Sequence, residues 1–481
     1  GSIQMSKNFN WFTVASVAVG LTLAGNAFAT NGYFTHGTGT KNKAMAGSGI
    51  ALPEDAIDVT NNPAVAPFVG DQLVIGAALF SPVRKYETSG SMANGGCFPG
   101  MGCAFTIGPN KLTSDSEYFV IPHIAKSWQL DNGNAWALAF YGRGGMNTNW
   151  KGGSATFSPM GPGSTSTWPG TYGDGIAEFD GMDPATIGNG NAGVNLSQAF
   201  LDITWAKQFN NNFSFGLSAV LVAQMLEAKG IRTFSAYTKS VAETGNPMLP
   251  ADYLSNNGTD WSYGYGMKIG IHAPLNDMWA FGAMYQSKIR MTDFDDYSDL
   301  FADGGSFDIP ADLKVGLTFK PSDALAFNFD IEQIWYSDID SVANPIANIF
   351  ACPTAGAGGT DLESCLGGKN GAGFGWDDMT VYKLGMMWTN NEDWTWRLGY
   401  SYGEQPIPTS EMTFNILAPA TIEHHFTAGF TLERTRGREF SMAFMYAPNS
   451  DVTGPQNFDP SQTVMFEMYQ WEVEASYSWR F

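Results

Sequence analysis

Positive charge is what this chain has least of. Its 481 residues carry 25 Lys and Arg against 46 Asp and Glu, a formal net charge of −21. A phosphate backbone needs clustered cations, so nucleic acid is excluded as a partner. Histidine is scarcer still, at five: His36, His123, His272, His424 and His425. The adjacent pair His424–His425 would point to opposite faces of a strand and cannot chelate together. The stretch "GTGTKNKAMAG" lacks the Gly-Lys-Ser/Thr of a phosphate loop, because its first Lys follows Thr40. No catalytic set emerges, and neither an enzyme, a cofactor nor a metal is expected.

Long apolar runs are also missing, with one short exception. "WFTVASVAVGLTLAG", residues 11–25, follows Met5 and Lys7 and leads to Ala27-Phe28-Ala29. It is too short to span a bilayer and has the A-x-A cleavage pattern of a secretory leader. Residues 1–29 are therefore read as an expression scar ("GSIQ") and a signal peptide. No later stretch offers about 20 consecutive apolar residues, so a transmembrane helix is not expected. Cysteine is limited to four. Proximity favours the local pairs Cys97–Cys103 and Cys352–Cys365, as loop staples in an oxidising compartment. Their spacing fits a zinc site poorly.

What the chain does have is 56 Gly, 15 Trp, 18 Tyr and 34 Phe, a balance that suits strands better than helices. Period-two segments recur from residue 71 on. In "YQWEVEASYSWRF", Trp471, Val473, Ala475, Tyr477, Trp479 and Phe481 share one face, and Glu472, Glu474, Ser476, Ser478 and Arg480 share the other. Candidate strands fall at 71–86, 117–130, 134–145, 195–209, 212–227, 259–273, 277–292, 306–320, 324–338, 376–389, 393–403, 420–434, 438–448 and 466–481. Short turns ("LDNGNA", "FNNN", "PLND", "KPSD", "TNNED", "RTRGR") alternate with long segments, the last of them at 449–465. Short–long alternation around an even number of strands is the pattern of a bacterial outer-membrane barrel, closed because hydrocarbon satisfies no backbone polar group. Long strands and Trp and Tyr near strand ends speak against a soluble sandwich or propeller.

The expected fold is all-β, a fourteen-stranded antiparallel transmembrane barrel over 71–481, with residues 30–70 as an N-terminal hatch inside the lumen. The inward sets are mixed. Asp312, Lys314, Gly316, Thr318 and Lys320 form one, and Thr395, Arg397, Gly399, Ser401 and Gly403 another. On 212–227 the set turns apolar at Val220, Val222 and Leu226, interrupted by Gln224. An apolar inward face fits either plug contacts or a pocket.

"NGYFTHGTGTKNKAMAGSGIALPEDAIDVTNNPA" (31–64) resembles the hatch of the FadL family of outer-membrane transporters of hydrophobic compounds. "DIPADLKVGLTFKPSDALAFNFDIEQIWYS", "WDDMTVYKLGMMWT", "WTWRLGYSYGEQPIP" and "HHFTAGFTLE" resemble the same family. The resemblance implies uptake of long-chain fatty acids or hydrocarbons, caught between loops, passed to an inner pocket and released sideways through a kinked third strand. It assigns Asn62, Pro63 and Ala64 to the hatch motif, beside that strand. The third strand, "NAWALAFYGRGGMN", ends in Gly142, Gly144 and Gly145, which favour a kink or simply open the next loop. Arg143 and Lys314 are candidate carboxylate partners by predicted position alone, and Val220, Val222 and Leu226 are candidate pocket walls. The expected surroundings are outer-membrane lipid and lipopolysaccharide, with the protein a monomer. A surface receptor or adhesin, or an outer-membrane enzyme, is the competing class.

Overall fold

The computed structural model describes residues 30–93, 97–98, 102–108, 110–152, 154–157, 166–169, 191–247 and 249–481. The expected leader lies outside them. The wall is a closed antiparallel barrel of fourteen strands. They are β1 (Gln72–Thr88), β2 (Phe119–Gln129), β3 (Asn134–Asn147), β4 (Asn191–Gln208), β5 (Ser214–Lys229), β6 (Asp260–Pro274) and β7 (Trp279–Gln286), followed by β8 (Asp312–Ser322), β9 (Leu325–Ile334), β10 (Met379–Thr389), β11 (Trp394–Gly403), β12 (His424–Thr435), β13 (Arg438–Gln456) and β14 (Asp459–Arg480). The barrel closes where β1 pairs with β14, from Gln72↔Arg480 to Thr88↔Val464. No helix among the described residues is long and apolar enough to cross a membrane.

The alternation runs inside out relative to a soluble barrel. On β14, Glu472, Glu474, Ser476 and Ser478 are buried toward the lumen, while Tyr477 on the opposite face is exposed. Exposed aromatics mark both ends of the wall. Trp128, Trp136, Trp279, Trp388 and Trp396 lie near the short turns, and Tyr118, Tyr263, Tyr265, Tyr382 and Tyr446 lie toward the long loops, as interfacial girdles require.

One expected loop is strand. Residues 449–465 continue β13 and β14 as a long hairpin that turns at Asn457–Phe458. The turn-forming run "APNSDVTGPQNF" hid it. The ladder absorbs those residues through register shifts at Ala447/Ser450 and Pro455/Gln456.

Residues 30–70 fill the lumen. They form a short helix α1 (Thr40–Ala44) and two 3-10 turns, Ala56–Thr60 and Pro63–Phe68, and their residues are almost all buried. Backbone-to-wall approach is possible because seven inward positions are glycine. A Cβ on Gly216, Gly270, Gly282, Gly316, Gly385, Gly399 or Gly429 would stand 2.1–2.7 Å from a hatch atom. These glycines are partly paired across strands, as Gly216↔Gly270, Gly282↔Gly316 and Gly385↔Gly399. They form a belt into which the hatch fits.

Candidate functional site: an apolar pocket, a charged floor and a seam in the wall

The hatch is fastened to the wall by charge. Lys43 Nζ donates to Glu474 Oε2 (2.6 Å) and Glu472 Oε1 (2.8 Å), and Lys41 donates to Glu439 (2.6 Å). Burial alone would pull the Lys43 ammonium down. The two carboxylates outweigh it and hold the group above its ordinary value. From the wall side, Arg397 Nε donates to Glu54 (3.1 Å). Asp330 Oδ2 accepts from the Gly49 and Ile50 amides (2.7 and 3.0 Å).

Asn62, Pro63 and Ala64 lie against β5 and β6, whereas the hatch motif was expected beside β3. Asn62 Nδ2 donates to the Ile271 carbonyl (3.0 Å), and its Oδ1 accepts from Ala64 N (3.1 Å). Pro63 and Ala64 sit under Gly216 and Gly270. Tyr33–Thr35 are the hatch residues that hydrogen-bond to the β3 edge, while Ala56–Thr60 and Pro63–Phe68 also pack against that strand.

At β3 the wall changes. Its ladder with β2 runs from Gln129↔Ala135 to His123↔Tyr141 and stops. Two sequence features sit at that level. Pro122 has no N–H to give, and Gly142, Gly144 and Gly145 impose no extended conformation. Pro122 is the missed signal, since a proline within a strand marks an edge or a break. On the other side, β3 pairs with β4 as Gly142↔Ala199 and then Gly144↔Gln198, so Arg143 is an extra residue in a bulge. The hatch takes the edge that β2 gives up. Thr35 N donates to Arg143 O (2.9 Å), Gly145 N donates to Tyr33 O (3.0 Å), and Phe34 bridges Gly144. Among the described residues, a seam without ladder pairing is left between β2 and the end of β3. Its loop-side rim is a polar clasp in which Arg84 Nη2 donates to Ser114 Oγ (3.2 Å) and Ser116 O (2.7 Å), and Ser116 donates to Asn147. A cavity of about 10 Å³ behind it is lined by Gly32, Arg84, Met146, Trp376, Ala418 and Met468, among others.

Two of the candidate polar ligands are committed elsewhere. Arg143 donates in two parallel bonds to Asp312 (3.0 and 2.8 Å) and to Gln286 (2.8 Å). Lys314 lies 3.6 Å from Glu332 and donates to Asn61 (3.4 Å). With Lys383 on Glu332 (2.6 Å) and Lys268 on Asp202 (2.6 Å), they form a charged floor. Val220, Val222 and Leu226 are buried on β5 as part of the same large core, outside the loop pocket described next.

That pocket lies among the long loops. Val194, Ile231, Phe234, Leu254, Leu300, Phe301, Leu366, Ala372, Gly373, Phe374, Phe414 and Leu417 line it, with Ser341 as the one polar side chain among the described residues. The Ser341 hydroxyl is already used, donating to Ser306 O and accepting from Ala302 N (3.1 Å). The cavity measures about 40 Å³. The loop that contributes Leu366 is closed by the disulfide Cys352–Cys365. Cys97 and Cys103 are cross-strand partners in a pair of two-residue antiparallel strands, and their side chains lie outside the described residues. From the pocket an aromatic series leads down to the seam: Phe374 to Trp376 (ring centroids 6.0 Å), Trp376 to Tyr33 (6.0 Å) and Tyr33 to Phe34 (5.0 Å).

Comparison with known proteins gives the same architecture. Residues 177–479 match the family described as outer membrane protein transport protein (OMPP1/FadL/TodX). The Pseudomonas putida toluene transporter TodX is 16% identical, with TM-score 0.61, covering 93% of this chain and 99% of its own. A Pseudomonas aeruginosa FadL homologue is 13% identical, with TM-score 0.61 and coverage of 94% and 100%. The Ralstonia pickettii toluene transporter TbuX is 15% identical, with TM-score 0.56 and coverage of 93% and 99%. No curated protein sequence matches the chain.

Proposed function

The chain belongs to the outer-membrane transport family of FadL and TodX, and from that premise we propose that it takes up small neutral hydrocarbons and releases them sideways through the β2–β3 seam. The observation that carries the choice of ligand is the loop pocket. Among the described residues its walls are apolar, its one hydroxyl is satisfied, and no lining residue is charged. A carboxylate there would lose its hydration with nothing in return, whereas an alkane or aromatic ring gains from every CH₂ or ring face buried. The toluene transporters TodX and TbuX among the structural relatives favour the same class.

An apolar guest of benzene size needs a cavity of roughly 150 Å³, so the pocket as it stands is closed. Entry parts the loops at Phe234, Phe414 and Leu417. The route onward follows from what flanks it. Below lie the Arg143, Asp312, Glu332 and Lys383 charges and a hatch pinned on several strands, which an uncharged guest cannot solvate. To the side lie Trp376, Met146 and the unpaired edge of β2. Lateral release delivers the guest into hydrocarbon without crossing periplasmic water. The long loops then face the cell exterior, and the exposed wall faces outer-membrane lipid and lipopolysaccharide.

The test is competition on the purified protein in detergent-free nanodiscs. Radiolabelled toluene should bind saturably and be displaced by decane, and decanoate at pH 8 should not displace it. Equal displacement by decanoate would overturn the neutral-ligand reading. Retention of toluene uptake after the seam is sealed by a β2–β3 cross-link would overturn the lateral route.

A further inference from the structure

We propose that Arg143 is a latch that holds the seam apart, a positioning residue acting on the route above and resting on that reading. It is the extra residue of the β3 bulge, and its side chain meets inward-pointing side chains from another part of the wall. There it meets Asp312 of β8 through two parallel bonds (3.0 and 2.8 Å), Gln286 of β7 (2.8 Å) and Glu332 of β9 (3.5 Å). Its guanidinium also lies 4.3 Å from the ring of Phe34, the residue that bridges Gly144.

The geometry gives the latch its direction. Just before the seam, Tyr141 is still in the β2 ladder and is tied to Asp202 (3.2 Å) and Lys268 (2.6 Å). Two residues on, Arg143 is drawn inward by Asp312. Tyr141 and Arg143 share the inward face as alternate residues do; the end of the β2 ladder at Tyr141 and the bulge at Arg143 mark Gly142, where no side chain opposes a turn, as the point at which β3 parts from β2. Asp312 is itself buried, so the latch cannot let go without leaving that carboxylate short of its cation, whereas Glu332 keeps Lys383 and Lys314. Its two parallel bonds fix an orientation that a lysine's single ammonium could not. Phe34, under the Arg143 guanidinium, and the Tyr33–Thr35 edge then occupy the space vacated, and they stay there only while Arg143 is held inward.

The experiment uses the full chain in outer membranes. Phe119→Cys and Gly145→Cys would face one another if the His123↔Tyr141 register ran on, within disulfide reach of directly opposed strand residues. In the otherwise native protein this pair should not cross-link on oxidation, as read by mass spectrometry of the peptides. With Arg143→Met added, it should. Arg143→Met alone should lower uptake of labelled toluene by about tenfold or more, the scale of a seam shifted mostly to the closed arrangement. Asp312→Asn serves as the second variant should Arg143→Met fail to assemble, assembly being judged by heat-modifiable migration. A cross-link without loss of uptake leaves the latch standing and removes the lateral route. A cross-link already present with Arg143 in place, or none in either variant, overturns the latch.

Discussion

The two sides of the lumen treat the hatch in opposite ways. Along β5–β14 it is bolted: backbone lies on a glycine belt, and Lys41, Lys43 and Glu54 each reach a wall partner of opposite charge. Beyond His123↔Tyr141 the β2–β3 ladder is unzipped, and three hatch residues, Tyr33–Thr35, stand in for the missing strand edge. A plug that was itself the moving part would be expected to have few charges on its fixed side. This one has buried pairs there and a bulged, proline-interrupted ladder on the other. On the lateral route proposed above, the difference places rigidity in the plug and pliancy in one seam of the wall.

The comparison can be broken hardest on the bolted side. Lys43→Met leaves Glu472 and Glu474 buried without their cation, and is expected to destabilise the folded barrel by about 3–5 kcal/mol. The measurement is the urea midpoint of refolding into lipid vesicles, and a midpoint within error of the parent would show the fastening to be slack. Next is the belt. Gly399→Val places methyl groups where a Cβ alone would already stand 2.2 Å from the Met45 carbonyl carbon, and overpacking of this kind costs about 1–3 kcal/mol. Heat-modifiable migration and the same urea titration report it. A loop staple gives a comparison outside both regions: Cys352→Ser with Cys365→Ser opens a loop with sequence separation 13 and should cost about 2–3 kcal/mol.

The smallest effect on stability is expected at the seam, and it sharpens the contrast. Pro122→Val restores a backbone donor to β2 at the level where the ladder stops. Stability should stay within about 1 kcal/mol of the parent, while uptake of toluene falls because the seam can zip further. Uptake unchanged, with hydrogen exchange at Gly142–Gly145 also unchanged, would place the pliancy elsewhere.

The wall was legible from the chain alone because period two is local. Each of the fourteen strands could be found from its own side chains, and the turn lengths gave the order of the two ends. The hatch was legible through its resemblance to a known one. The long β13–β14 hairpin was not, since a ladder tolerates Asn, Pro and Gly at bulges that a single strand in isolation would not. The glycines at 142, 144 and 145 pointed to a kink, but only the fold shows which residue the kink isolates. Arg143 and Asp312 are 169 residues apart, and their meeting depends on how a fourteen-stranded sheet closes and staggers, which no window of sequence contains. The same holds for the hatch. Composition made residues 30–70 small and turn-rich, but the choice of Tyr33–Thr35 for the β3 edge, and of Asn62–Ala64 for β5 and β6, was made by the shape of the lumen and by which backbone groups the seam left unpaired.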